Sequence, residues 1–185
     1  MKKLRIATKK KKTNKVGIFL DSSIIVASID KDDKHNLEIR SLLNALKPYN
    51  EKQSLDIFIP HIVKAESLSR VMQKLDCSGK VALKLFDKFT NEFDLCLMGG
   101  PRIDQKFVDK IYSELSTKYS IRHLSANDLI IIFMAMELGA IVITCDVKMK
   151  SYGSKFYRKK IYFVSSHSKK LKNEAPLLLT EFYRN

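Results

Sequence analysis

SANDLIIIFMAMELGAIVITCD, residues 125–146, contains the longest apolar run in the chain, from Leu129 to Cys145, broken by Glu137 and Gly139. A membrane-spanning helix needs about 20 nearly uninterrupted apolar residues. The run therefore reads as a helix from Ser125 to Leu138, stopped at Gly139, and then a buried strand, AIVIT (140–144). A helix apolar almost all round belongs at the centre of a molecule. A strand of continuous apolar residues is covered on both faces, as in parallel sheets.

Working outward, VGIFL (16–20) is a second buried strand and SSIIVASI (22–29) a short helix after it. Beyond the charged turn DKDDK (30–34), Leu37, Leu42, Leu43 and Leu46 predict one side of an amphipathic helix, with Asp33 as its N-cap. A strand is expected from Asp56 to Ile59, ended by Pro60, and helices over about 62–75 and 80–91. FDLCLM (93–98) reads as a strand, GGP (99–101) as a break, 104–119 as a helix and IYFV (161–164) as a last strand. This alternation predicts an α/β fold with a mostly parallel sheet.

The net charge of +14 is unevenly placed. Residues 1–15 carry eight Lys/Arg and no acid, and residues 147–185 carry ten Lys/Arg against two Glu. The body between them, with 16 basic and 18 acidic residues, is slightly negative. Basic ends on an acidic body favour encounter with a polyanion. Nucleic acid is the expected partner, because neither end forms a convincing amphipathic helix for a membrane surface. In the segment KFYRKK, Lys155, Arg158, Lys159 and Lys160 alternate with aromatics, a composition suited equally to RNA contacts and to a solvated loop. MKKLRIATKKKKTNK lacks the apolar core of a signal peptide. Cys77, Cys96 and Cys145 are odd in number and far apart, and read as buried thiols of a reducing cytosol. His35, His61, His123 and His167 lack metal-ligand spacing and read as structural or surface residues.

Four acids fall at the ends of predicted elements. Asp21 follows the strand VGIFL, Asp146 follows AIVIT by one residue, Asp128 opens the apolar helix, and Glu66 lies one turn into the helix after Pro60. Functional groups of open α/β sheets gather at strand carboxyl ends. Each acid alone fits a plainer role: Asp21 a cap, Asp128 a charge suited to a helix dipole, Asp146 a turn start, Glu66 a solvated side chain. Their joint order is harder to obtain by chance.

The segments IFLDSSIIVA (18–27), PHIVKAES (60–67), SANDLIIIFMAMELGAIVITCD and IYFV, in this order, resemble the PIN-domain ribonucleases over roughly residues 16–165. The resemblance implies a three-layer α/β/α fold around a five-stranded parallel sheet. Residues 1–15 would be a basic, disordered extension and 166–185 a C-terminal one. It implies an acidic Mg²⁺ or Mn²⁺ site at which Asp21, Glu66, Asp128 and Asp146 match the family's acids, while Ser22, Ser23, Asn127 and Thr144 match the small polar positions that support them. Asp21 and Asp146 would meet the metal directly, with Asp128 and Glu66 acting directly or through waters. The expected activity is endonucleolytic hydrolysis of RNA in the cytoplasm. The size is similar to VapC-type toxins, which implies a protein antitoxin and leaves a homodimer open. A ribosomal or transfer RNA processing nuclease, or a non-catalytic RNA-binding scaffold, are the rival readings. Two departures stand out: 15 residues precede Val16, and no further acid follows Asp146, where Val147, Lys148, Met149 and Lys150 stand. The second departure puts a second metal position in doubt. No nucleophile elbow or Gly-rich phosphate loop points to another hydrolase class.

Overall fold

In the computed structural model, β1 (Val16–Leu20) forms the middle of a five-stranded sheet. The structure describes residues 16–52, 54–99, 105–116, 123–155, 157 and 160–165. The other strands are β2 (Leu55–Pro60), β3 (Cys96–Met98), β4 (Ile141–Thr144) and β5 (Ile161–Phe163), in the spatial order β3-β2-β1-β4-β5, with every pairing parallel. Parallel neighbours require crossovers, and pairs of helices supply three of them. These are α1 (Ser22–Ile29) and α2 (Asn36–Glu51), α3 (His61–Lys74) and α4 (Gly79–Glu92), and α5 (Gln105–Ser116) and α6 (Ala126–Leu138). A π-helical turn, Met149–Gly153, fills the short passage from β4 to β5. The helices flank the sheet, which gives the α/β/α arrangement expected from the sequence.

The chain first builds outward from β1 through β2 to β3, then returns to the other side of β1 with β4 and β5. That reversal leaves a crevice at the carboxyl ends of β1 and β4, the place where open α/β sheets bind ligands. The two strands are the most deeply set: Phe19, Leu20, Val142 and Ile143 are fully buried. Complete burial of such side chains stabilises the fold by about 1.5–3 kcal/mol each. Phe19 meets Phe58 of β2 edge to face at 6.0 Å.

Helix α6 is as central as its composition implies, with Leu129, Ile131, Ile132, Phe133, Met134 and Ala135 buried. Ser125 starts it as N-cap, and Gly139 ends it at φ 64°, a left-handed conformation that glycine adopts without strain. The amide of Ala140 then donates to Ala135 at 2.8 Å and turns the chain into β4. Gly153 has a different reason. A Cβ there would lie 2.7 Å from Ile161 Cδ1 and 2.8 Å from Ile132 Cδ1, so a larger residue would make both side-chain ends shift where the π-helical turn approaches β5 and α6.

Four local expectations are corrected. Leu37 is 80% exposed, so the apolar side of α2 is made by Ile39, Leu42, Leu43 and Leu46. Asp33 is not the N-cap of α2; it accepts the His35 amide in the preceding turn, and the helix starts at Asn36. Asn36 ties the corner instead, donating to the carbonyls of Ala27, Ser28 and Asp30 at 2.8, 3.1 and 2.9 Å. The third strand is only Cys96–Met98, because Phe93 closes α4 and Asp94 turns the chain at φ 51°. The cysteines form no disulfide among the described residues and are not buried: Cys77 and Cys145 are half-buried and Cys96 is exposed. No described helix is long and apolar enough to cross a membrane. The basic segments 1–15 and 166–185 lie outside the described residues.

Candidate functional site

Asp21 stands where β1 ends, and its backbone amide continues the sheet by donating to Ile143 of β4 at 3.0 Å. Its extended backbone makes it the N-cap of α1. One carboxylate oxygen accepts the Ser22 amide at 2.7 Å. The other accepts the Ser23 hydroxyl at 2.6 Å and the Thr144 hydroxyl at 2.8 Å. Those two hydroxyls carry the network into the next segment. Ser23 Oγ accepts the Cys145 amide at 2.9 Å, and Thr144 Oγ1 accepts the Asp146 amide at 2.8 Å. Asp21 thus bridges the crevice between β1 and β4 and fixes the direction in which the chain leaves β4.

Asp146 is half-buried on that exit. Its Oδ1 accepts the amides of Lys148 and Met149 at 2.6 and 3.1 Å, so it opens the π-helical turn much as an N-cap opens a helix. Asp128 closes a capping box with Ser125: Ser125 Oγ accepts the Asp128 amide at 3.1 Å, and the carboxylate accepts the Ser125 amide at 3.0 Å. Glu66 is held from two sides, by Asn127 Nδ2 at 3.1 Å and by the Arg70 guanidinium at 3.1 Å. The plainer roles of Asp21, Asp128 and Asp146 as caps are therefore real. They coexist with the clustering of charge.

That clustering shows in the electrostatics. Burial, opposed by the hydroxyl and amide donors and reinforced by the charge of Glu66, holds the Asp21 carboxyl above the usual carboxylate range. Asp128 is also raised, by burial first and then by the charges of Asp21 and Asp146. Among the described residues, no Lys or Arg pairs with Asp21, Asp128 or Asp146. The Cys145 thiol is pushed up to about 12, by burial first and then by the charges of Asp21, Asp33 and Glu38, and is neutral at physiological pH.

Oxygen donors with uncompensated negative charge fit a hard dication. Among the described residues, no three His, Cys, Asp or Glu side chains are gathered into a ready-made metal cage. Mg²⁺ does not require one, since it commonly takes one or two carboxylates and keeps its waters. By this criterion Asp21, Asp128 and Asp146 offer such oxygens, whereas the charge of Glu66 is balanced by Arg70.

A cavity of about 530 Å³ opens beside Ser23 and Cys145, with Asp33, Lys34, Arg70 and Lys74 among its walls. Lys74 is paired with Asp30 at 3.0 Å and with Asp33, and Arg70 with Glu66; Lys34 has no ion pair among the described residues. The i,i+4 spacing of Glu66 and Arg70 was available in the sequence as a helix-face signal for Arg70.

In the 155–160 segment, one aromatic is not available at the surface. Tyr157 is buried, and its hydroxyl donates to Ala135 and Ala140 carbonyls, so this aromatic faces the core. Lys160 Nζ donates to the Gly139 carbonyl at 3.2 Å. Lys155 Nζ lies 5.0 Å from the Tyr152 ring centroid. Arg158 and Lys159 lie outside the described residues. Tyr152 and His123, neither singled out from the sequence as a site residue, stack on each other with centroids 4.5 Å apart and planes 22° apart. No sequence signal pairs them, because the π-helical turn brings them together.

Among known structures, the chain is similar to VapBC2 from Rickettsia felis, solved bound to a DNA fragment from their promoter. The TM-score is 0.54 at 21% identity, over 80% of this chain and 97% of the other. A likeness at that identity speaks for the fold. No curated protein matches the chain. A family model does: the PIN domain matches residues 18–155, a span that starts in β1 and includes all four acids. The chain belongs to the PIN-domain family.

Proposed function

We propose that this protein is a metal-dependent endoribonuclease whose acidic site is built on Asp21 and Asp146, with Asp128 and Glu66 beside them. The observation that carries this reading is Asp21 itself: a buried carboxylate, shifted upward and without a cationic partner among the described residues, at the sheet's switch point. A buried carboxylate is costly unless something compensates it. Mg²⁺ or Mn²⁺ held there would stabilise charge on the phosphate, lower the pKa of a bound water and assist the leaving oxygen. Ser22, Ser23 and Thr144 hold the Asp21 carboxylate in place, and Thr144 also fixes the Asp146 backbone. Glu66, oriented by Asn127 and Arg70, faces the same charge field and would align the attacking water. The cavity walled by Lys34 and Arg70 gives the adjoining phosphates a basic path.

Within this reading the chain acts as the toxin of a toxin–antitoxin pair, its activity restrained by a protein antitoxin. The similarity to a VapBC2 chain supports that assignment, as does the size. The test is cleavage of a single-stranded RNA by the purified full chain with Mg²⁺ or Mn²⁺, with EDTA, and with Asp21→Asn or Asp146→Asn. Loss of cleavage by about 100-fold or more is expected in EDTA and in both folded variants, a size typical of lost charge stabilisation at the reacting centre. Undiminished cleavage in EDTA would remove the metal from the mechanism.

A further inference from the structure

The His123–Tyr152 stack joins two segments that each lead to an acid. His123 lies five residues before Asp128, in the approach to α6, and Tyr152 lies six residues after Asp146, in the π-helical turn that Asp146 caps. The π-helical turn packs against α6, which Asp128 opens, and the charge of Asp146 is among those acting on Asp128. His123 is exposed, whereas Tyr152 is half-buried beneath it. The surroundings are basic: Lys155 Nζ lies 5.0 Å from the Tyr152 ring, Lys150 Nζ lies 4.5 Å from the Phe163 ring, and Lys148 is exposed. π-Helical turns are rare and often occur at functional sites.

We infer that His123, backed by Tyr152, is a stacking platform for one nucleobase of a single-stranded RNA beside the cleaved bond, with Lys148 and Lys155 near the flanking phosphates. The inference rests on the ribonuclease reading. Every nucleobase has a π-face, and an aromatic stack bordered by cations is the usual means of holding single strands without reading their sequence. The half-buried Tyr152 supplies the backing, and the outer face of His123 supplies the surface. Tyr157 of KFYRKK faces the core and cannot serve as such a surface.

The test pairs a protein variant with a substrate variant. A set of RNA oligonucleotides, each with one abasic nucleotide near the cleaved bond, is cut by the full chain, His123→Ala and His123→Phe. In the wild type, one abasic position is expected to lower kcat/KM by about 5- to 100-fold, the range of one base–aromatic stack. His123→Ala should show the same loss on intact RNA and no further loss on that abasic substrate. His123→Phe should recover most of the intact-RNA rate. Independently, 5-iodouridine at that position in the wild-type complex should crosslink on irradiation to His123 or Tyr152. Equal, independent losses on intact and abasic RNA, or crosslinks only elsewhere, would overturn the platform and leave the stack a clamp between two segments. If the wild type cleaves no RNA with either metal, the ribonuclease reading fails and takes the platform with it.

Discussion

The Asp21 carboxyl carries a pH signature because its folded pKa lies above its unfolded value. The folded protein then binds more protons than the unfolded chain between those two values, so stability falls as pH rises through that window. The destabilisation is complete above the raised folded pKa and is relieved as pH falls toward the unfolded value. Asp128 acts in the same direction. Asp33 acts oppositely: burial raises it, but the Lys74 hydrogen bond and charge outweigh that and leave it lowered. Its stabilising contribution is lost only below the ordinary carboxylate range, outside a comparison between pH 5 and 7.5. In metal-free protein, Asp21→Asn is therefore expected to melt at or above the wild-type temperature at pH 7.5, with a smaller advantage at pH 5. Mg²⁺ should raise the melting temperature of the wild type by mass action and have little effect on the variant. Thermal melts at both pH values, with and without Mg²⁺, decide this; a variant that melts well below wild type at pH 7.5 would make Asp21 chiefly a cap. Asp21, Asp128 and Asp146 were legible as candidates because each follows or starts a strongly patterned element, and Glu66, inside α3, by the family resemblance. The family resemblance pointed to Ser23 and Thr144 as supporting residues; that both hydroxyls reach the same Asp21 oxygen, and that Ser23 takes the Cys145 amide, was not legible, since these groups meet only when β1 and β4 pair.

At the scale of elements, the α1–α2 corner depends on one polar side chain. Asn36→Ala would leave the Ala27 carbonyl without its side-chain donor and remove one donor from Asp30, which keeps the Asp33 amide, while Ser28 keeps a bond from Arg40. Such buried losses cost about 1–3 kcal/mol. For a chain of this length that corresponds to a melting-temperature drop of roughly 2–12 °C. Leu37→Ala, one residue on and largely exposed, should stay within about 0.5 kcal/mol of wild type. Thermal or urea unfolding of both variants tests the contrast, and a larger loss from Leu37→Ala would reverse the assignment of this helix face. The same corner shows where sequence periodicity stops being informative. Apolar spacing locates α2, but a first-turn leucine can point either way until the preceding turn sets the helix rotation. FDLCLM likewise has strand composition throughout, yet Phe93 is needed in the core at the end of α4, which shortens β3 to three residues. Long, apolar elements such as α6 and β4 carried enough signal to be placed to within a residue or two.

For the whole molecule, the reversal of strand order around β1 brings Asp21 and the segment leading to Asp146 together, and the charge distribution bears on how a polyanion would reach them. The eight basic residues within 1–15 and the ten within 147–185 flank a slightly acidic body in the sequence. Each phosphate contact made by those residues contributes about −0.7 to the slope of log affinity against log salt for a single strand. Deleting residues 1–15 should flatten that slope and weaken binding to different RNA sequences by similar factors. Titrations of two unrelated oligonucleotides at several salt concentrations measure both effects; an unchanged slope would assign these charges to an acidic protein partner.

The hydrogen bond from Thr144 to Asp21 spans 123 positions of chain. During synthesis the ribosome makes the first of these residues long before the second. At about 5–20 residues per second, the delay is roughly 6–25 s. Throughout it β1 has no β4 to pair with, and Asp21 lacks the hydroxyl that joins the two halves of the site. A nascent chain therefore holds no assembled carboxylate site until most of its length has been translated. Fragments ending before β4 should bind RNA through their basic N-terminal residues yet leave it uncut.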